Sequence, residues 1–115
     1  MIVYELPLPP STNRLHFGKG EDAHRRGNYN TWRKVADRAL MAQGRLKVHC
    51  GPCFITITIA ESARGDLDNR CKSTLDYLVH HGIIEADDKR IVREIRLKWG
   101  DVPGARVEIT PAVGG

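Results

Sequence analysis

At 115 residues the chain has room for one domain with a modest core, expected over 1–115, and none for two. Hydrophobic residues at 41% and charged residues at 28% describe a globular protein and exclude a disordered one. No apolar run is long enough to span a bilayer, the opening Met1-Ile2-Val3-Tyr4-Glu5 lacks the order of a signal peptide, and three cysteines are an odd number, so a reducing cytoplasm is expected.

Ile2, Tyr4 and Leu6 alternate with Val3 and Glu5, which predicts a strand over residues 2–6 that Pro7 ends. Residues 11–28 have no period and read as a long irregular loop. From Tyr29 to Gln43 the apolar positions Trp32, Val35, Ala36, Ala39 and Leu40 recur at helical spacing, with Gly44 as the stop. Cys53, Ile55, Ile57 and Ile59 alternate with Phe54, Thr56 and Thr58, the clearest strand in the chain. A second helix is expected from Leu67 to His81, with Leu67, Cys71, Thr74, Leu75 and Leu78 as its buried stripe and Gly82 as its end. Residues 90–99 and 105–110 read as strands joined through Asp101-Val102-Pro103-Gly104. The order β-α-β-α-β-β suits an α+β fold, one mixed sheet with helices packed on it.

The chemistry concentrates in Gly65-Asp66-Leu67-Asp68-Asn69-Arg70-Cys71-Lys72, with a second acidic pair at Asp87-Asp88. Clustered carboxylates suit a hard divalent cation such as Mg²⁺, which takes oxygen ligands and keeps several waters. A lysine beside them can place positive charge on a phosphate under attack. On an ideal helix Asp68, Lys72 and Asp76 lie four apart on one face. Each piece also has a plain structural reading: aspartate caps helices, lysine pairs on surfaces, and Asp-Asp opens turns. Together the pieces point to metal-dependent phosphodiester hydrolysis.

The net charge is +4, yet residues 14–47 hold nine Arg and Lys (14, 19, 25, 26, 33, 34, 38, 45 and 47) against three acids, Glu21, Asp22 and Asp37. The rest of the chain is therefore net acidic, with its acids bunched at the carboxylate motif. A basic half to hold phosphates beside an acidic half to hold metal is the balance a nuclease needs. Asn13, Arg14, Arg25, Arg26, Arg33, Lys34 and Asn69 are the residues expected to meet DNA. Cys50-Gly51-Pro52-Cys53 has the form of a thioredoxin-like redox motif, but that chemistry needs a following helix, and Phe54 to Ala60 is strand-like. A thiol-disulfide oxidoreductase is thus a lesser alternative, and a zinc site adding His49 or Cys71 lacks a second Cys-x-x-Cys to close it.

Several segments together resemble the RusA-type Holliday-junction resolvases, a bacterial family often encoded by phages. They are Leu8-Pro9-Pro10-Ser11-Thr12-Asn13-Arg14, then Trp32-Arg33 with Val35-Ala36, then Asp66-Leu67-Asp68-Asn69 with Lys72, Asp76 and Gly82, and finally Asp87-Asp88 with Ile91-Val92. The resemblance implies a small homodimer that nicks branched, four-way DNA at symmetric positions, leaving a 5′-phosphate and a 3′-hydroxyl. It implies Asp66, Asp68 and Asp88 as ligands of Mg²⁺ (Mn²⁺ being the alternative), Lys72 as a further catalytic residue, and no organic cofactor. Counted from Gly82 the acidic pair lies one residue late, which leaves Asp87 or Glu85 as substitutes for Asp88; counted back from Ile91-Val92, Asp88 is the match. A non-catalytic DNA-binding module is the alternative from another class, and cleavage of a labelled junction separates the two.

Overall fold

The computed structural model describes residues 1–11 and 19–112, with side chains left undescribed over 19–28. The elements are β1 (Ile2–Leu6), α1 (Lys19–Ala42), β2 (Cys53–Ala60), a 3₁₀ turn (Leu67–Arg70), α2 (Cys71–His80), β3 (Val92–Gly100) and β4 (Ala105–Pro111). The four strands form one mixed sheet in the order β1-β4-β2-β3. β4 runs antiparallel to both β1 and β2, while β2 and β3 are parallel. A parallel pair cannot be closed by a tight turn, so the chain crosses from β2 to β3 through the 3₁₀ turn and α2.

The β-branched alternation sets the sheet's two faces. Ile55, Ile57 and Ile59 lie opposite Ile109, Val107 and Ala105, and all six are buried. Tyr4 and Leu6 extend that face, and Trp32, Ala36 and Leu40 of α1 with Leu75 and Leu78 of α2 cover it. On the other face Glu94, Arg96 and Lys98 are exposed. The single apolar face makes the two helices and the sheet one packed body. No helix among the described residues is long and apolar enough to cross a membrane.

Several expectations change. Residues 19–28, read as loop, are helical, so α1 begins ten residues before the apolar period does. Helix is compatible with Gly20 and Gly27 at a cost of about 1 kcal/mol each, and a period reports only the turns that face a core. Residues 12–18 lie outside the described residues. Val35 is half-exposed while Trp32, Ala36 and Leu40 are buried, so the helix presents a narrower stripe than its sequence suggests. The second helix is not continuous: its first turn is 3₁₀, and Leu67 and Cys71 are only partly buried. Finally, β3 and β4 are consecutive but not neighbours, because β2 lies between them.

Glycine closes both helices: Gly44 at φ +102° follows α1, and Gly82 at φ +69° follows α2, with the Ile83 amide donating to Leu78 O. Gly104, in the turn before β4, is needed for space instead. A Cβ there would stand 2.4 Å from Leu6 O and 2.8 Å from Leu8 N. Gln43 ties the end of α1 to edge strand β1: its amide donates to Glu5 O and accepts from Glu5 N–H, both at 2.7 Å. The Cys50–Cys53 segment enters β2 directly through Gly51 at φ +86°. A strand rather than a helix follows the motif, so the helix N-terminus that stabilises the first thiolate in redox chemistry is missing, and the second thiol, Cys53, is buried with its pKa pushed up by that burial.

Candidate active site

β2 ends at Ala60, and the chain bends through Gly65, at φ +93°, into Asp66-Leu67-Asp68-Asn69-Arg70. Asp66 has the extended backbone of an N-cap, and its carbonyl accepts the Asn69 amide at 3.2 Å. Its carboxylate makes no capping hydrogen bond. Asp66 and Asp68 are both exposed, and neither is paired with a described cation. A cap would have consumed one of these carboxylates; both remain available to a ligand.

Two other segments hold this turn. The Arg70 guanidinium donates through Nη1 to Pro9 O and through Nη2 to Arg64 O at 3.0 Å. The buried Ser73 hydroxyl donates to Pro10 O at 2.9 Å, and the buried Thr74 hydroxyl to Arg70 O at 2.8 Å. Burial lowers the Arg70 pKa from its ordinary value. The proline-rich segment after β1 is thus docked on the start of α2, beside the carboxylates.

Lys72 projects from the first turn of α2. Its Nζ lies 3.0 Å from Asp76 Oδ1 and 3.2 Å from Asp87 Oδ2, and those hydrogen bonds raise its pKa. The side chain is half-exposed and permanently cationic at neutral pH, so it suits charge stabilisation rather than proton transfer. The expected row of Asp68, Lys72 and Asp76 is reduced to Lys72–Asp76, because the 3₁₀ turn takes Asp68 out of the α-helical repeat.

Of the closing acids, Asp87 is the one joined to Lys72. Asp88 accepts the Arg90 amide at 3.0 Å and the Arg90 Nη2 at 2.9 Å, which lowers its pKa. Its carbonyl receives the amides of Ile91 and Val92, so the residue also shapes the entry into β3. Glu85 accepts the Gly51 amide at 2.7 Å. Among the described residues no three Asp, Glu, His or Cys side chains converge on one point. The donor chemistry still suits a hard cation: exposed carboxylates at Asp66 and Asp68, and a third at Asp88 in an exposed pair that exchanges readily.

On α1, the Arg33 guanidinium lies 5.9 Å from the Tyr29 ring centre and Lys34 is exposed. Arg25 and Arg26 belong to the same helix, though only their backbone is described, and Asn13 and Arg14 lie outside the described residues. The other end of α2 fixes this helix in place. The Tyr77 hydroxyl donates to Asp37 Oδ1 at 2.7 Å, and His81 Nε2 lies 2.8 Å from the same oxygen. Trp32 meets Tyr77 edge-on at 5.0 Å and donates its Nε1–H to Pro7 O at 3.0 Å. Reading the sequence for motifs missed Arg70, Ser73 and Asp37, whose roles depend on backbone carbonyls or side chains about forty or more residues away.

A model of the family described as Endodeoxyribonuclease RusA matches residues 7–110. The chain belongs to the RusA endodeoxyribonuclease family. The match spans the docked proline segment, α1, the carboxylate turn and the closing acids. A curated RusA relative, "Crossover junction endodeoxyribonuclease rusA" of Enterobacteria phage HK97, is 27% identical over 117 residues, covering 92% of this chain and 89% of that protein.

Proposed function

We propose that this RusA-family chain cuts four-way DNA through a divalent-cation site built on Asp66, Asp68 and Asp88, with Lys72 as the charge that meets the scissile phosphate. As a family member the chain is a crossover junction endodeoxyribonuclease. The supporting observation is the pairing of an open carboxylate turn with a half-exposed lysine one residue into the helix that follows it.

When bound by these carboxylates, Mg²⁺ (or Mn²⁺ in its place) supplies Lewis acidity to the phosphoryl oxygens. The chain's own residues do the rest. Lys72 leaves its two exposed carboxylate partners at little cost, since such pairs contribute about 0–1 kcal/mol, and places its ammonium on a non-bridging oxygen as charge develops. Asp76 and Asp87 hold the lysine over the site before DNA arrives. Arg33, Lys34 and the other basic residues of α1 grip the backbone, with Asn13, Arg14 and Asn69 completing the proposed DNA surface. A junction has two-fold symmetry, so a homodimer with sites related by its axis would nick both strands in one encounter. A phage-encoded relative and a DNA substrate support the reading that this activity works in the cytoplasm of a bacterial host.

The test is a labelled four-way junction incubated with and without Mg²⁺. Paired, symmetric nicks that require the cation are expected. Junction binding without cleavage at any Mg²⁺ or Mn²⁺ concentration would overturn the site assignment.

A further inference from the structure

Arg70 does not face the solvent side of the carboxylate turn. Its guanidinium is directed into the protein, where one planar group bonds two carbonyls from segments far apart in sequence, Pro9 O and Arg64 O. Its Nε is buried with no partner among the described residues. A buried guanidinium nitrogen left without a partner opposes folding, so packing alone does not account for an arginine at this half-buried position. What it does is bring together the bend before the carboxylates, the turn that carries them, and the Pro9-Pro10 segment that leads towards Asn13 and Arg14. Ser73 holds the same segment one residue further on, through Pro10 O.

We infer that Arg70 is a positioning residue for cleavage: it clamps the Pro9–Ser11 segment to the 64–70 turn, so that carboxylates and incoming strand share one fixed frame. The inference rests on the proposed use of Asp66 and Asp68. Arg70 itself touches neither the phosphate nor the cation. Two carbonyls in different directions need a fork, which arginine provides and lysine does not. Misplacing reacting groups by about an ångström can cost on the order of a hundredfold in rate while leaving binding largely intact.

The experiment compares Arg70→Ala, Arg70→Lys and the parent in single-turnover cleavage of prebound junction, with Lys72→Ala as a control. Junction affinity in the absence of cation and hydrogen exchange of peptides covering 5–11 and 62–72 are measured beside it. Arg70→Ala is expected to cut at least tenfold more slowly, to bind within a few-fold of the parent, and to exchange faster in those two peptides alone. Arg70→Lys should recover little of the rate. Parent-like cleavage by Arg70→Ala overturns the inference. If Arg70→Ala fails to fold, Arg70→Lys decides: slow cleavage with a parent-like melt supports the clamp, and parent-like cleavage removes it. A parent that binds but never cuts would instead strike the active-site assignment, so the two failures are separable.

Discussion

The two ends of α2 are built on opposite plans. At its N-terminal end the carboxylates and the lysine face water: Asp66, Asp68, Lys72 and Asp76 are exposed, and the pairs Lys72 makes are exchangeable. At its C-terminal end the polar groups are sheltered, with Tyr77 fully buried and sharing the Asp37 carboxylate with His81. One end leaves its charge open to solvent, the other ties it into a fixed crossing of two helices. A ten-residue helix can do both because opposite ends of it meet different partners.

The contrast is broken most severely at Asp68. Asp68→Asn keeps the shape of the turn but removes charge from the proposed hard-cation site. It should abolish Mg²⁺-dependent cleavage while the melting temperature stays within a degree or two, and cleavage at the parent rate by the folded variant would exclude Asp68 as a ligand. Next in size is Lys72→Ala. Loss of one well-placed electrostatic group costs about two or more orders of magnitude in rate, and junction affinity should change far less. Single-turnover kinetics measure it, and a rate within a few-fold of the parent would reduce Lys72 to an ordinary surface pair.

The opposite end sharpens the same contrast by failing differently. Tyr77→Phe removes a hydrogen bond to a carboxylate, worth about 1 to 2 kcal/mol at a half-exposed partner, and should lower the melting temperature by roughly 5 °C or more. Cleavage at 25 °C should persist. The smallest effect is a pH dependence. Burial would raise the Asp37 pKa, but hydrogen bonds from Tyr77 and His81, with the charges of His81 and Arg33, outweigh it and hold the carboxyl low. A depressed folded-state pKa stabilises the protein above the ordinary carboxylate value, near about 4, and that contribution is lost as pH falls further. Acid melts should therefore show a shallower decline below about pH 4 in Tyr77→Phe than in the parent.

The strands were legible in the sequence because β2 alternates and one sheet face is dry; Ile55, Ile57 and Ile59 announce both. The candidate site was legible by residue type: Asp66, Asp68 and Lys72 stand out in the sequence, and the structure leaves all three exposed. The first half of α1 was not, because the apolar period that marks a helix starts only at Tyr29. The break between 3₁₀ and α at Arg70 was equally hidden, since Leu67, Cys71 and Leu75 keep a helical spacing through it. Of the two partners of Lys72, Asp76 is local and was readable from its spacing, whereas Asp87 was not, because it depends on how the chain returns after Gly82. Arg70 and Ser73 carry no signal at all, because what they bind is main chain.

Gly104 extends the reach of the active site into a part of the chain that holds no chemistry. There is no volume for any side chain between it and the backbone of Leu6 to Leu8, and at the next residue that backbone presents the Pro9 carbonyl to Arg70. A replacement at 104 must displace the strand's exit, and under the inferred clamp that displacement would reach Arg70. In a survey of tolerated substitutions position 104 would therefore score with the candidate site residues, intolerant even of alanine. Second-site suppressors of such a lesion would be expected among Leu6 to Leu8, where relaxation of the chain can restore the spacing, rather than among the carboxylates.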